Sequence, residues 1–254
     1  MTQPFKARLR AGETLCGTIL SIGAPEVAEL LAAAGFDWLF VDAEHGALDP
    51  RDVLHILAAV ADRTPCLVRI PSLDEAWIKR ALDAGADGII VPQVETEEEA
   101  REVARLAQYP PRGRRGLGTA RANAYGMGVA QYLGTAAERV SVVVQAETTD
   151  AVRHISAIAR VPGIDAVFVG PYDLSASLGF PGEVERPEVR DAIAAVATGC
   201  RAAGVRTGLF AMTPAGLAPY LGLGFTLLAA GVDTVTLGRG ALDLRQEFRG
   251  LGVE

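Results

Sequence analysis

The chain has 254 residues, half of them hydrophobic, and a formal net charge of −7 at pH 7. This length suits a single α/β barrel, and the hydrophobic content allows a large core. The negative charge argues against a general nucleic-acid binder, which would normally be basic. Because no apolar run reaches the roughly 18 residues that span a bilayer, we expect no membrane segment.

The N-terminal stretch and the cysteines indicate the cellular compartment. The stretch is polar and lacks the apolar centre of a signal peptide. Cys16, Cys66 and Cys200 are odd in number and far apart, which fits neither a disulfide framework nor a zinc site. We therefore expect buried, reduced thiols in a cytoplasmic protein.

Strand and helix patterns alternate along the whole chain. Short apolar runs predict strands at 15–21, 38–43, 66–70, 88–92, 141–146, 166–170, 206–210 and 225–230. Helical patterns lie at 25–35, 50–62, 72–85, 96–108, 149–160, 186–204 and 213–224, several beginning with Pro or an acidic turn and several ending in Gly. Strands that are apolar on both faces predict a parallel sheet. Eight such units favour a closed (β/α)8 TIM barrel, which forms a single domain over residues 1–254.

Two segments resist this pattern. Residues 109–140 show no steady period and are rich in Gly and Arg, which is typical of a functional or interface loop. The segments 224–231 and 234–240 compete for the eighth strand. We place that strand at 225–230 and a C-terminal helix at 233–249, because the residues after 240 have a helical pattern.

A short motif, Ala-Gly-X-Asp, recurs at 34–37, 84–87 and 230–233. The first two copies fall between a predicted helix and the following strand. The motif therefore suggests helix-to-strand turns of one kind.

Ionisable residues stand at the ends of four predicted strands. Glu147 and Asp173 follow the fifth and sixth strands, and neighbouring barrel strands could bring these carboxylates together. His45 and Arg69 reach the same edge from the second and third strands. Two carboxylates, an imidazole and a guanidinium at one barrel mouth suggest a metal site that holds an anionic carbonyl compound.

The positions of the lysines limit the possible reaction mechanisms. The chain has two, Lys6 in the N-terminal segment and Lys79 within a predicted helix, and neither stands at a strand end. A Schiff-base mechanism needs a lysine in that position. The remaining way to stabilise an enolate is a divalent metal acting as a Lewis acid, and Mg²⁺ or Mn²⁺ would prefer carboxylate oxygens.

Each of these residues has a structural alternative. Asp173 could cap a helix, and Arg69 could form a buried salt bridge, since an arginine in an apolar strand must be paired or bind an anion. His45 is favoured over the other two histidines, which lie within predicted helices. It stands at a strand-to-loop junction beside Asp42 and Glu44.

Several stretches together carry a family resemblance: FVDAEHG, LVRIPS, LDAGADGIIVPQVET, YPPRGRRGLG, VVQAET and VGPYDLSASLG. The chain resembles the HpcH/HpaI family of metal-dependent pyruvate aldolases over nearly its whole length. The resemblance implies a (β/α)8 barrel that commonly assembles as a hexamer. In that assembly the C-terminal helix is exchanged or packed between subunits.

The resemblance also implies a substrate and metal site. Glu147 and Asp173 would bind a divalent ion, Mg²⁺, Mn²⁺ or Co²⁺, and Arg69 would contact the oxo and carboxylate oxygens of pyruvate. Gln145 would line the same pocket. The backbone that receives the carboxylate would be that of Gly170, Pro171, Tyr172 and Asp173.

Three further residues receive catalytic roles from the resemblance. His45 would serve the acid/base step through water on the metal. Asp42 and, from an adjacent subunit, Asp83 would orient this network.

The implied reaction is the reversible aldol cleavage of 4-hydroxy-2-oxo acids to pyruvate and an aldehyde, through a metal-stabilised enolate. The aldehyde stays open, with a semialdehyde or a smaller aldehyde as options. A CoA-ester lyase of the same superfamily and a non-catalytic barrel that binds a small acid are alternatives. Proton exchange at pyruvate C3, with and without EDTA, would separate an enzyme from a binder.

Overall fold

The computed structural model describes residues 3–251, which form a closed barrel of eight parallel strands. The strands are β1 (Leu15–Leu20), β2 (Trp38–Asp42), β3 (Cys66–Arg69), β4 (Gly88–Val91), β5 (Ser141–Ala146), β6 (Ala166–Val169), β7 (Arg206–Ala211) and β8 (Phe225–Val232). Each strand pairs with the next in chain order, and β8 pairs with β1. The predicted (β/α)8 barrel is confirmed.

Residues 3–251 contain eleven α-helices, most of them on the outside of the barrel. They are α1 (Phe5–Ala11), α2 (Pro25–Ala33), α3 (Pro50–Val60), α4 (Glu75–Asp83), α5 (Glu97–Ala107), α6 (Val129–Arg139), α7 (Thr149–Ile158), α8 (Pro171–Ser177), α9 (Pro187–Ala203), α10 (Pro214–Leu221) and α11 (Asp233–Gly250), with a 3-10 helix at Arg121–Gly126. The seven predicted helices and the C-terminal helix are confirmed. Within residues 3–251, no helix combines the length and the hydropathy needed to cross a bilayer.

The sequence pattern does not predict α1, α6 and α8. Helix α6 buries a single residue, Ala136, contains Gly134 and follows a Gly- and Arg-rich stretch, so the segment as a whole shows no steady period. Helices α1 and α8 have seven residues each, about two turns, which is too short for a clear period. The long segment 109–140 is therefore partly helical.

The first two Ala-Gly-X-Asp copies form the same turn. The Asp37 carboxylate accepts the backbone N–H of Cys16, the second residue of β1, and the Asp87 carboxylate accepts that of Cys66, the first residue of β3. Both bonds are 2.9 Å long. The N–H groups of Asp37 and Asp87 donate back to the same residues. The prediction is wrong for the third copy, because Asp233 follows β8 and begins α11, a strand-to-helix junction.

Two of the three cysteines are buried as expected. Cys66 and Cys200 lie in the core, but Cys16 is exposed, so the expectation of a buried thiol is wrong there. Its neighbour Leu15 faces the barrel interior, and alternation along β1 therefore turns Cys16 outward.

Aromatic side chains fill the inside of the barrel. Trp38, Phe40 and Phe168 contact one another, with the ring centroids of Phe40 and Phe168 at 5.8 and 6.2 Å from that of Trp38. Its indole N–H donates to the carbonyls of Leu15 on β1 and Leu228 on β8, at 3.3 and 3.2 Å. This side chain therefore bridges the first and last strands of the barrel.

Helix α1 closes the N-terminal end of the barrel. Phe5 and Leu9 join the interior cluster. Between them Lys6 is buried, with its ammonium 3.0 Å from the carboxylate of Asp165 and 2.7 Å from the carbonyl of Val140. Lys79 instead forms an exposed pair with Glu75 on α4. Neither lysine lies at the catalytic end of the strands, as the sequence predicts.

Helix α11 extends away from the barrel. Among its described residues Asp233 is buried, and this carboxylate accepts the N–H groups of Ser21 and Ile22. The exposed large apolar side chains of the C-terminal region are Leu237, Leu242, Leu244, Phe248 and Leu251. Packing of this helix against a neighbouring subunit stays a prediction.

Candidate active site

The C-terminal ends of β2 and β3 hold a buried ion pair. Asp42 and Arg69 are the last residues of these strands and are register partners. Arg69 Nε and Nη2 donate to the two carboxylate oxygens of Asp42 at 2.9 and 2.8 Å, and the guanidinium lies 5.0 Å from the centre of the Phe40 ring. This two-pronged bond fixes the plane of the guanidinium.

A second carboxylate lies on the other side of Arg69. Arg69 Nη1 is 3.1 Å from Glu44 Oε2, an oxygen that has no partner of proper hydrogen-bond geometry within residues 3–251. Burial raises the pKa of Glu44, and the charge of Arg69 opposes this effect. Burial alone would lower the pKa of Arg69, but its bonds to Asp42 and the nearby carboxylates raise it above its ordinary value.

The loop after β2 is shaped by Asp42. Asp42 Oδ1 accepts the N–H groups of Glu44 and His45 at 3.1 and 3.3 Å. A Cβ at Gly46 would overlap the Asp42 carbonyl oxygen, so the tight turn requires glycine at that position. His45 is held at the cavity entrance, with its side chain 63% exposed and its Nε2 3.9 Å from Glu44.

Glu147 lies just beyond β5 and is buried. Its Oε1 accepts the backbone N–H of Gln93 at 2.8 Å, and its Oε2 accepts from the Gln145 side chain. A Cβ at Gly170 would lie 2.7 Å from Glu147 Oε2 and 2.8 Å from Gln145 Nε2, so glycine leaves room for both side chains. The Gln145 Oε1 atom is buried without a partner among the described residues.

The electrostatics of Glu147 favour a cation. Burial raises its pKa to about 7, the charges of Asp173 and Glu44 act in the same direction, and the Gln93 N–H opposes them. Asp173 lies in the first turn of α8 and is exposed. An ion of positive charge between Glu147 and Asp173 would remove this repulsion.

A cavity of about 370 Å³ joins these groups. It is lined by Ile19, Ser21, Phe40, Asp42, His45, Arg69, Gln145, Phe168, Gly170, Pro171, Tyr172, Asp173, Phe210, Met212, Val232 and Thr234. The structure therefore brings together every predicted site residue except Asp83, with Glu147 beneath Gln145. His55 and His154 lie on exposed helical positions away from this cavity.

Asp83 lies elsewhere in this chain. It is the last residue of α4, and its carboxylate pairs with the buried Arg115 at 2.7 Å. Arg115 in turn contacts the rings of Tyr109 and Tyr132. A role for Asp83 in the site of an adjacent subunit stays a prediction.

Sequence reasoning missed two groups of this site. Glu44 contacts Arg69, and its position between Asp42 and His45 in the motif was a signal that could have revealed it. Gln93 contributes a backbone N–H from a left-handed conformation with φ of 53°, and its side-chain type carries no signal for that.

Glu147 and Asp173 could hold a divalent ion. Both are hard oxygen donors, and the unpartnered Gln145 Oε1 lies beside them. Within residues 3–251, no group of three or more His, Cys, Asp or Glu forms a complete metal cage. Two carboxylates would leave positions for a substrate, which suits catalysis better than a purely structural ion.

A closed parallel barrel with carboxylates and an arginine at the C-terminal ends of its strands defines an α/β-barrel enzyme. The chain belongs to the HpcH/HpaI aldolase/citrate lyase family, whose model matches residues 19–239. It is 44% identical over 246 residues to a 4-hydroxy-2-oxovalerate aldolase of Rhodococcus jostii, covering 96% of this chain and 95% of that protein.

Two further comparisons agree. A hydroxypyruvate/pyruvate aldolase of Cupriavidus necator is 42% identical over 248 residues, covering 97% of this chain and 92% of that protein. A solved structure of an HpcH/HpaI family protein from Burkholderia cenocepacia has a TM-score of 0.92 and 41% identity, covering 96% of this chain and 98% of that one. The predictions of family, fold and a carbon–carbon lyase of the pyruvate aldolase type are confirmed.

Proposed function

We propose that the protein catalyses the reversible aldol cleavage of 4-hydroxy-2-oxo acids to pyruvate and an aldehyde, with a divalent metal held by Glu147 and Asp173. One observation carries the proposal: Asp42, Glu44 and Glu147 lie near a single guanidinium, that of Arg69, and the Asp173 carboxylate adds its charge to those of Glu44 and Glu147. Such a negative excess is costly unless a cation is bound.

A metal there would supply Lewis-acid polarisation of the pyruvate oxo group, which makes the C3 protons more acidic. Mg²⁺, Mn²⁺ and Co²⁺ all suit two carboxylate ligands, so we propose the class of ion. Gln145, packed against Glu147, would fix the orientation of that carboxylate.

Arg69 would bind the anionic part of pyruvate. A guanidinium has five N–H donors, and Asp42 and Glu44 face three of them. The two remaining donors would bind oxygen atoms of the substrate and stabilise the enolate oxygen as negative charge develops. The backbone from Gly170 to Asp173, at the cavity wall, would receive the substrate carboxylate.

His45 would move protons at the entrance of the cavity. Its exposed imidazole stands where an incoming aldehyde must pass, and Asp42 holds its backbone in place. In the cleavage direction the 4-hydroxyl group must lose a proton, and in the reverse direction the aldehyde oxygen must gain one. We assign both transfers to His45, with Asp42 as a positioning residue.

Exchange of the pyruvate C3 protons with deuterated solvent tests this proposal, because it reports enolate formation without any aldehyde. We expect exchange that EDTA abolishes and that divalent ions restore. Glu147→Gln should lose it, while Glu98→Gln, at an exposed position on α5, should not. Exchange that persists in metal-free buffer would contradict the role of the metal. No exchange at any metal concentration would contradict the proposal and favour a barrel that only binds small acids.

We also infer a homo-oligomer, a hexamer by the family resemblance, in which α11 packs against a neighbour. The exposed apolar side chains of α11 support this. A cytoplasmic location is inferred from the three free cysteines.

A further inference from the structure

We propose that this site selects uncharged, apolar aldehydes over hydroxylated or anionic ones; the inference rests on the proposed function and names its aldehyde class. The proposal rests on a difference between two parts of the cavity wall. The groups assigned to pyruvate and metal come from β2, β3, β5 and the β6–α8 junction. Apart from the buried rings of Phe40 and Phe168, the rest of the wall comes mainly from β7, β8 and β1, which are consecutive around the closed barrel.

The side chains of this second arc are mainly apolar. They are Phe210 near the end of β7, Met212 just beyond it, Val232 at the end of β8 and Ile19 near the end of β1. Tyr172 completes the arc, with its ring 6.1 Å from that of Phe210. An aldehyde that meets pyruvate C3 in this cavity must place its substituent against one of the two walls, and the polar wall is taken by pyruvate.

The Ser21 hydroxyl and the Asp233 carboxylate next to the arc are already engaged. Asp233 accepts hydrogen bonds from Ser21 N, Ser21 Oγ, Ile22 N and Thr234 N, at 2.7–2.9 Å. The Ser21 hydroxyl therefore has its proton committed, and the Asp233 carboxylate is saturated. Thr234 is exposed at the rim. None of the described lining residues on this arc carries a positive charge.

This lining discriminates by chemistry. A carboxylate or a hydroxyl on the aldehyde would leave water and find on the arc no cation, only the hydroxyl groups of Tyr172 and Thr234 near the rim. An alkyl or aryl group loses nothing of this kind and gains contact with Phe210 and Met212. Hydrophobic pockets discriminate single groups by about 10–200-fold, which sets the size of the expected preference.

The same arc separates the site from a second cavity. Pro171, Tyr172, Phe210 and Met212 also line a space of about 170 Å³ that reaches Leu209 and Tyr220. Truncation of Phe210 should connect the two spaces. Phe210→Ala is therefore expected to favour longer apolar aldehydes relative to the shortest.

The test is cleavage of matched 4-hydroxy-2-oxo acids whose C4 carries a methyl, ethyl, hydroxymethyl or carboxyethyl group, with pyruvate release as the readout. We expect kcat/KM for the two alkyl compounds to exceed that for the other two by about tenfold or more. Equal or better cleavage of the carboxylated or hydroxylated compound overturns the inference.

Two variants sharpen the result. Met212→Arg places a cation on the arc and should shift the carboxyethyl-to-ethyl ratio of kcat/KM upward by about tenfold or more. Met127→Arg, at a position that is 87% exposed, should leave that ratio as in the unmodified protein. An unchanged ratio in Met212→Arg would contradict the assignment of the arc.

Failure of the inference is distinguishable from failure of the proposed function. If pyruvate C3 exchange is absent in the unmodified protein, the proposed function is wrong, and the selectivity with it. If exchange is present but the alkyl compounds are not cleaved, or are cleaved less well than the others, the aldehyde class alone is wrong.

Discussion

Arg69 has a geometry that a lysine cannot reproduce. Its guanidinium holds Asp42 with two parallel bonds while it faces Glu44. Arg69→Lys keeps the positive charge but loses the planar pair of N–H donors. We expect a loss of about 2–4 kcal/mol of transition-state stabilisation, as for a lost oxyanion donor. C3 exchange measures it, with Arg101→Lys on the exposed face of α5 as the control. Full activity in Arg69→Lys would contradict the role.

His45 should behave differently, because its side chain is exposed and packs little. His45→Ala is expected to slow proton transfer by about 10²–10⁴-fold, while pyruvate and metal still bind. Tryptophan quenching by pyruvate reports binding, and product formation reports the chemistry. His55→Ala, on α3, is the matched control. Unchanged product formation in His45→Ala, or a loss of product formation that lost pyruvate binding fully explains, would show that the assignment is wrong.

Glu147 makes the metal-free protein sensitive to pH. Its pKa is about 7 in the folded state against an ordinary value of 4.5, so the folded state holds the proton more firmly than the unfolded chain. Stability therefore falls as pH rises from 4.5 through 7, because the unfolded state then binds fewer protons. Denaturant unfolding in EDTA should show this slope, and Glu147→Gln should flatten it. The same slope in both proteins would contradict the assignment.

For single residues, the sequence predicts where a side chain stands in the barrel better than which groups it contacts. Asp42, Arg69 and Glu147 stand at strand ends, and a parallel barrel brings such residues to one edge whatever the details of packing. Glu44 reaches Arg69 because of the turn made by the loop after β2, which no local pattern encodes. Gln93 acts through its backbone N–H, a group that every residue except proline possesses.

Helix α1 depends on one buried lysine. Lys6→Met should leave Asp165 with Arg10 and one backbone N–H, and we expect a loss of about 3 kcal/mol of unfolding free energy. Lys79→Met, which breaks an exposed pair on α4, should cost about 0–1 kcal/mol. Denaturant titration of both variants checks this contrast. Equal losses would mean that the ion pair contributes no more than a surface one.

The sequence pattern predicts some of the helices and misses others. Helices with a strong apolar face, such as α3, α4 and α5, agree with the sequence pattern within a few residues. Helix α6 buries one residue and follows a Gly-rich stretch that hides its start, and α1 is recognisable as the cover of the N-terminal end only after the barrel has closed around Phe5 and Leu9. The third Ala-Gly-X-Asp copy, which ends at Asp233, shows that one tetrapeptide can connect a helix to a strand or a strand to a helix. The flanking elements decide which connection it forms.

The assembly is tested through α11. Light scattering should show a homo-oligomer, a hexamer by our proposal. Leu242→Asp together with Phe248→Asp should dissociate it, because the proposed interface on α11 would then bury two unpaired carboxylates in place of apolar side chains. Leu30→Asp on α2, which is 70% exposed in the unmodified chain, is the control. A stable monomer in the unmodified protein would contradict the prediction.

The fluorescence of Trp38 should change when the barrel closes. The chain has two tryptophans, and Trp77 lies half-buried on α4. The Trp38 indole donates to carbonyls of both β1 and β8, so its emission depends on whether the first and last strands have met. Phe40 stands between this indole and Arg69, with 5.8 Å on one side and 5.0 Å on the other. A single intrinsic fluorophore is thus placed to report both the completion of the fold and the filling of the site above it.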